Sequence, residues 1–256
     1  MFDRAIIEAA KAHAIREYPR EAVGLIVSGQ YLPQENISPD AAKTFELPAD
    51  AWLKHGPVQG VLHSHPSTAE KPGNDYPSAA DMESQMATAV PWGIIVCDAE
   101  RATEPVWFGD QVSQPPLTGQ DRYFRHGVTD CYALIRAYYR EAQGIIIPDF
   151  ARDWEWWNQQ KHGSAEHQNL YVEGFSLAGF RQIPEYEVRP GDVFLAAIRS
   201  KVPCHGGIYL GGSGDMILHH LCSGKAVDRS RLAVEEPGVR YLKYVTHWLR
   251  HKDMPQ

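Results

Sequence analysis

Hydrophobic and polar positions along this chain repeat with two different periods, and the switches between them mark out its elements. In the opening stretch MFDRAIIEAAKAHAIREYPRE, Ile6, Ala10 and Ala14 recur every fourth residue among charged neighbours, which predicts an amphipathic helix. Short unbroken apolar runs follow at Ala22 to Val27, Gln59 to Leu62 and Trp92 to Cys97, and these read as strands. Between them the pattern predicts a short helix near Trp52 and another helix starting at Ser78. Strands alternating with helices give a mixed α/β layer. In GDQVSQPPLTGQ, residues 109 to 120, neither period survives the paired prolines, so the chain is expected to divide there. The expected division is a domain over 1–109, a linker over 110–118 and a second domain over 119–256.

Beyond the linker, Leu134, Ile135, Tyr138 and Tyr139 predict a helix beginning near Cys131, and a second helical region is expected from about Ala165 to Leu177. DVFLAAI, HGGIYLG and DMILHHL are short apolar runs separated by Gly, Ser and Pro, the pattern of an antiparallel meander. The second half therefore reads as α+β. No internal repeat or low-complexity tract is visible.

Composition removes several function classes. Over 256 residues, 43% hydrophobic content is enough for two cores. Twenty-five basic against 32 acidic residues leave a net charge of −7 with no Lys/Arg cluster, so no nucleic acid partner is expected. No apolar run reaches the ~20 residues of a membrane span. The first residues lack the basic start and long apolar core of a signal peptide, and four cysteines without a C-x-x-C pair suit a reducing compartment.

Candidate chemistry begins at GVLHSHPSTAEKPGNDYPSAADM. His63 and His65, at i and i+2 on the end of a strand, project to one side and could share a cation, with Asp81 as third ligand. Two His and one carboxylate leave a zinc position open for water, whose pKa the ion lowers to about 7. Glu21, at the start of the first apolar strand, is the candidate general base. Ser78 could cap its helix or hold a developing oxyanion. The residue types alone equally describe a polar loop followed by a helix start. The set Glu21, His63-x-His65, Ser78 and Asp81, however, resembles the JAMM/MPN metallopeptidase motif. That resemblance implies a cytidine deaminase-like fold, a zinc cofactor held by His63, His65 and Asp81, and catalytic roles for Glu21 and Ser78. Twelve residues separate His65 from Ser78, more than the family usually has, so STAEKPGNDY is expected to bulge outward at the mouth of the site.

A second constellation centres on Cys131, where a loop becomes a helix and the N-terminal dipole favours a thiolate. His205 could take its proton, with His219 or His220 orienting the base. TDCYALI, RPGDVFLA and HGGIYLG…ILHH together resemble the NlpC-type papain-like cysteine peptidases. The resemblance implies Cys131 as nucleophile, His205 as base and His219 as third member, with His220 still a candidate. Tyr132-Ala133 stands where that family has Ser-Gly. Asp130 is expected to fix the helix start. Cys97, Cys204 and Cys222 are expected in the core, and the tryptophans of DWEWWNQQ are expected in packing before a substrate wall. His55, His126, His162, His167, His247 and His251 are expected at the surface.

A JAMM/MPN domain followed by an NlpC-type domain is similar to tail tip proteins of the lambda-like siphophages. This implies synthesis in the host cytoplasm, residence in the virion tail, other tail tip proteins as partners, and action on peptidoglycan stem peptides at the bacterial cell wall. Alternatives are a processing protease for tail assembly acting on a partner of ubiquitin-like fold, and a structural tail component with vestigial sites.

Overall fold

In the computed structural model, which describes residues 2–158 and 169–255, the first apolar stripe becomes helix α1 (Arg4–Glu17), burying Ile6, Ala10 and Ala14. Pro19 lies just beyond its end, where a helix cannot continue. Strand β1 (Val23–Val27) is buried at every position, as a central strand covered on both faces must be. It turns at Ser28-Gly29, both at positive φ, into β2 (Gln30–Gln34), the reversal that suits a two-residue hairpin.

Strand β3 (Val58–Pro66) pairs antiparallel with β1. Helix α2 (Ala79–Thr88) then crosses over to β4 (Trp92–Cys97), which runs parallel to β3, and β5 (Val106–Phe108) closes the edge. The sheet order is β2-β1-β3-β4-β5. Leu62 and Ile95 pack with Ile6, Ala10 and Ala14 of α1. Because side chains alternate along β3, His63 and His65 therefore leave its opposite face. The expected helix near Trp52 is absent: the segment is a series of turns, since Pro48, Gly56 and Pro57 leave too few residues between breakers for a helix.

The chain separates into two compact units between Ser113 and Gln114. In the second, β6 (Tyr123–Arg125) precedes helix α3 (Cys131–Tyr138), which runs into a wider turn over Tyr139–Gln143. Of the expected second helical region, helix α4 (Leu170–Gly174) is present and residues 175–177 are turn; the part before Asn169, with His162 and His167, lies outside the described residues. The strands are β7 (Phe180–Ile183), β8 (Val193–Ala196), β9 (His205–Gly211), β10 (Met216–His219), β11 (Val227–Leu232), β12 (Val234–Pro237) and β13 (Val245–His251). Strands β8, β9 and β10 form the meander within a sheet ordered β12-β10-β9-β8-β13-β7, while β11 pairs with β6. Leu134 and Ile135 of α3 pack on Leu195, Ile208 and Leu218, the core of this unit.

Two histidines expected at the surface are buried. His126 and His251 have their Nε2 atoms 2.9 Å and 3.1 Å from the carbonyls of Arg152 and Ala178, so each side chain satisfies a backbone group inside the fold.

Asp130 caps α3, accepting from the backbone N–H of Ala133 at 2.9 Å and of Gly127 at 2.8 Å, and from the Arg152 guanidinium at 2.8 Å. Burial would raise its carboxyl, but Arg152 and His126 outweigh that and hold it at about 2. Removing this carboxylate would leave a buried guanidinium short of its partner. Asp130→Ala should cost about 3–5 kcal/mol, read as a lowered urea midpoint for the second unit.

Candidate functional site

Each unit gathers one cluster of reactive side chains. In the first, β3 presents His63 and His65 to the start of α2. Ser78 is the N-cap: its Oγ accepts from the Asp81 N–H at 3.2 Å, and Asp81 Oδ2 receives the Ser78 N–H at 2.8 Å and its hydroxyl at 2.7 Å. This reciprocal cap turns Asp81 back toward the strand. His63 Nε2 lies 3.3 Å from Asp81 Oδ1 and 3.1 Å from His65 Nε2, and His65 Nε2 is 3.7 Å from Asp81 Oδ2. Ligand atoms around a tetrahedral zinc stand about 3.3 Å apart, given bonds of about 2.0–2.1 Å. The donor set and its convergence thus fit a divalent cation.

The His65 ring is oriented from behind, because its Nδ1–H donates to the Asn74 carbonyl at 2.6 Å. That fixes the neutral tautomer with a bare Nε2 facing the cluster, the arrangement a metal ligand needs. Burial, with His63 adding, pushes the His65 imidazolium down to about 4. Burial pulls the Asp81 carboxyl up, but His63 and His65 more than offset it, so Asp81 stays well below the usual range. The long segment after His65 therefore does not simply bulge outward. It folds back at Gly73, where a Cβ would sit 2.7 Å from the His65 carbonyl.

Glu21 is 6% exposed. It lines a cavity of about 520 Å³ together with His65, Ser78 and Asp81. Burial raises its carboxyl to about 7, with His63 acting in the opposite direction. A base that titrates near neutrality is the one best matched to accepting a proton from water and passing it on. The Ser78 proton is committed to Asp81, so its visible role is capping.

In the second unit, Cys131 is the first residue of α3 and lines a cavity of about 820 Å³ that His205 also lines. No hydrogen bond joins the two; the sulfur lies 3.1 Å from the Tyr171 hydroxyl of α4. The helix start does not make a thiolate here. Burial, with Asp130 adding, pushes the Cys131 thiol up to about 12. Burial likewise drives His205 well below its ordinary value, so thiol and imidazole rest as a neutral pair.

His205 Nε2 is 3.0 Å from His219 Nδ1, and His219 Nε2 is 2.7 Å from Glu236 Oε1. His220 turns elsewhere, its Nε2 lying 3.1 Å from the Arg231 carbonyl. His219 is thus the histidine in contact with His205. Trp156 is buried and packs on Trp157 and Tyr171, as expected of it, and with Trp154 and Trp157 it also lines the cavity wall. Cys204 and Cys222 are half-buried on that wall as well, and only Cys97 is in the core.

These clusters and folds have relatives. Residues 118–246 match the NlpC/P60 family and residues 3–108 match the prokaryotic homologs of the JAB domain. The chain belongs to the NlpC/P60 family and carries a JAB-type, MPN-like domain ahead of that unit. It is 37% identical over 173 residues to tail tip assembly protein K of Escherichia phage lambda, covering 66% of this chain and 74% of that protein. It is 30% identical over 227 residues to tail tip assembly protein K of Escherichia phage N15, covering 84% of each.

Three residues of these clusters escape a reading by motif: Asn74, Tyr171 and Glu236. Asn74 acts through its backbone, and the other two meet their partners only through tertiary packing.

Glu21 supplies a measurable linkage. Its folded pKa of about 7 lies above the ordinary 4.5, so the folded state binds this proton more tightly. Stability is fully present below pH 4.5 and is lost as pH rises toward 7. In chelator-treated protein, Glu21→Gln should therefore leave the first unit's urea stability unchanged at pH 4. At pH 8 it should raise that stability by on the order of 3 kcal/mol.

Proposed function

We propose that this chain is a tail tip assembly protein of a phage. In this reading its second unit is a cysteine peptidase that opens amide bonds in peptidoglycan stem peptides. The observation that carries it is the placement of Cys131 and His205 on one cavity, with His219 hydrogen-bonded behind the imidazole. His205 takes the Cys131 proton as sulfur attacks the scissile carbonyl, then returns it to the leaving amine; water releases the acyl group by the same route. The backbone N–H of Cys131 at the helix start and the Tyr171 hydroxyl are available to the oxyanion.

Charge around the cavity supports an acidic peptide. Arg199, Arg231, Arg240 and Lys243 are exposed on its lining, and none of the four is drawn into an ion pair among the described residues. Four cations without a carboxylate partner among the described residues, on one cavity of a chain of net charge −7, favour a substrate rich in carboxylates, as stem peptides are.

The first unit is read as a zinc-dependent peptidase, with His63, His65 and Asp81 as ligands and Glu21 as base. A bound zinc would supply a water acidic enough to ionise near pH 7. Glu21 would accept that water's proton and carry it to the leaving amine. The neutral, pre-oriented His65 and the near-neutral titration of Glu21 favour a working site over a vestigial one. Its proposed target is another protein of the tail tip, so this unit acts in processing during assembly in the host cytoplasm. The second unit then acts from the virion tail at the cell wall.

Incubation with defined muropeptides, read by mass spectrometry, tests the division of labour. Cleavage should vanish in Cys131→Ala and persist in Asp81→Ala. Arg240→Glu with Lys243→Glu should raise KM more than it lowers kcat. The wild-type chain should take up one zinc, with affinity lowered about 10- to 100-fold by Gly73→Ala through its effect on the loop that holds His65. Intact muropeptides with wild-type protein, or cleavage surviving in Cys131→Ala, would refute the assignment.

A further inference from the structure

His205, His219 and Glu236 lie on one diagonal across three adjacent strands. His219 of β10 stands opposite Gly207 of β9 and opposite Val234 of β12. His205 and Glu236 are each two residues along from those partners, so all three side chains leave the same face of the sheet. The spacings of 3.0 Å and 2.7 Å make this one continuous hydrogen-bonded chain.

We propose that Glu236 is a positioning residue that sets the proton order of the whole chain and so decides which nitrogen of His205 faces the catalytic thiol as a base. The inference rests on the reading of Cys131 and His205 as nucleophile and base. An ionised carboxylate can only accept. His219 must therefore carry its proton on Nε2 to donate to Glu236, and its Nδ1 is bare. A bare Nδ1 can only accept from His205, so the His205 proton sits on Nε2. What remains on His205 is an unprotonated Nδ1, the nitrogen free to take the proton from sulfur. When His205 becomes a cation during attack, the carboxylate charge at the far end of the relay favours it.

Groups around the relay fit this order. Burial lowers His219, while Glu236 pulls in the opposite direction. The Tyr241 ring packs against that of His219, with 4.5 Å between ring centres. Arg240 and Arg231 lie close enough to Tyr241 to act on it electrostatically. His220 stands next to His219 but is tied to the Arg231 carbonyl, so it offers no competing proton path.

Ring-nitrogen NMR of the full chain labelled with 15N-histidine reads the proton order directly, with His205 and His219 assigned through single substitutions. Wild type should show protonated Nε2 and bare Nδ1 at both residues. Glu236→Gln keeps the shape but can donate or accept, and it should leave His219 as a mixture of tautomers. In parallel, alkylation of Cys131 by iodoacetamide, followed on its own peptide, should slow about tenfold at pH 7 relative to pH 11 in Glu236→Gln. Adding the same change to His219→Ala should produce no further slowing.

A proton on His219 Nδ1 in wild type, an unchanged tautomer in Glu236→Gln, or equal slowing in the His219→Ala background would each overturn the proposal. Failure of the catalytic reading shows separately: His205→Ala would then leave Cys131 alkylation at pH 7 unaltered, whatever the ring nitrogens report.

Discussion

The first N–H groups of a helix have no partner within the helix, and both reactive clusters are built around the residues that meet this need. At the start of α2, Asp81 closes a reciprocal cap with Ser78, which leaves one carboxylate oxygen turned toward β3. At the start of α3, Asp130 takes the cap, and the next residue is delivered to the cavity with its own N–H uncommitted. In each unit an aspartate ends the same local problem and a strand across from it supplies histidine.

The two aspartates nevertheless do different work, and the difference lies in their surroundings. Asp130 is enclosed by Arg152 and backbone donors, so its charge is spent inside the fold. Asp81 has only Ser78 and two imidazoles, and no cation of the chain forms an ion pair with it among the described residues. A carboxylate beside two imidazole nitrogens in this arrangement is a donor set compatible with a divalent cation.

Much of this was legible in the sequence because it depends on short spacings. Period two puts His63 and His65 on one face, and Ser78 three before Asp81 is a cap signature whatever the fold. The apolar runs that became β1, β4, β8, β9 and β10 announced themselves in the same way. The expected helix near Trp52 failed because a few apolar residues between prolines and glycine cannot repay the cost of starting one. Asn74 was invisible because any residue type offers a carbonyl, and only the loop's return makes this one meaningful. Glu236 was invisible because its place beside His219 is set by strand register 17 residues away in sequence. The expected thiolate at Cys131 was an error of weighting: the helix start was legible, but the burial that outweighs it was not.

That burial has a consequence for endurance. A sulfur whose ionisation burial opposes this strongly is scarcely ionised at neutral pH, and peroxides and trace metals attack the ionised form. A thiol masked in this way resists oxidation while it stands idle.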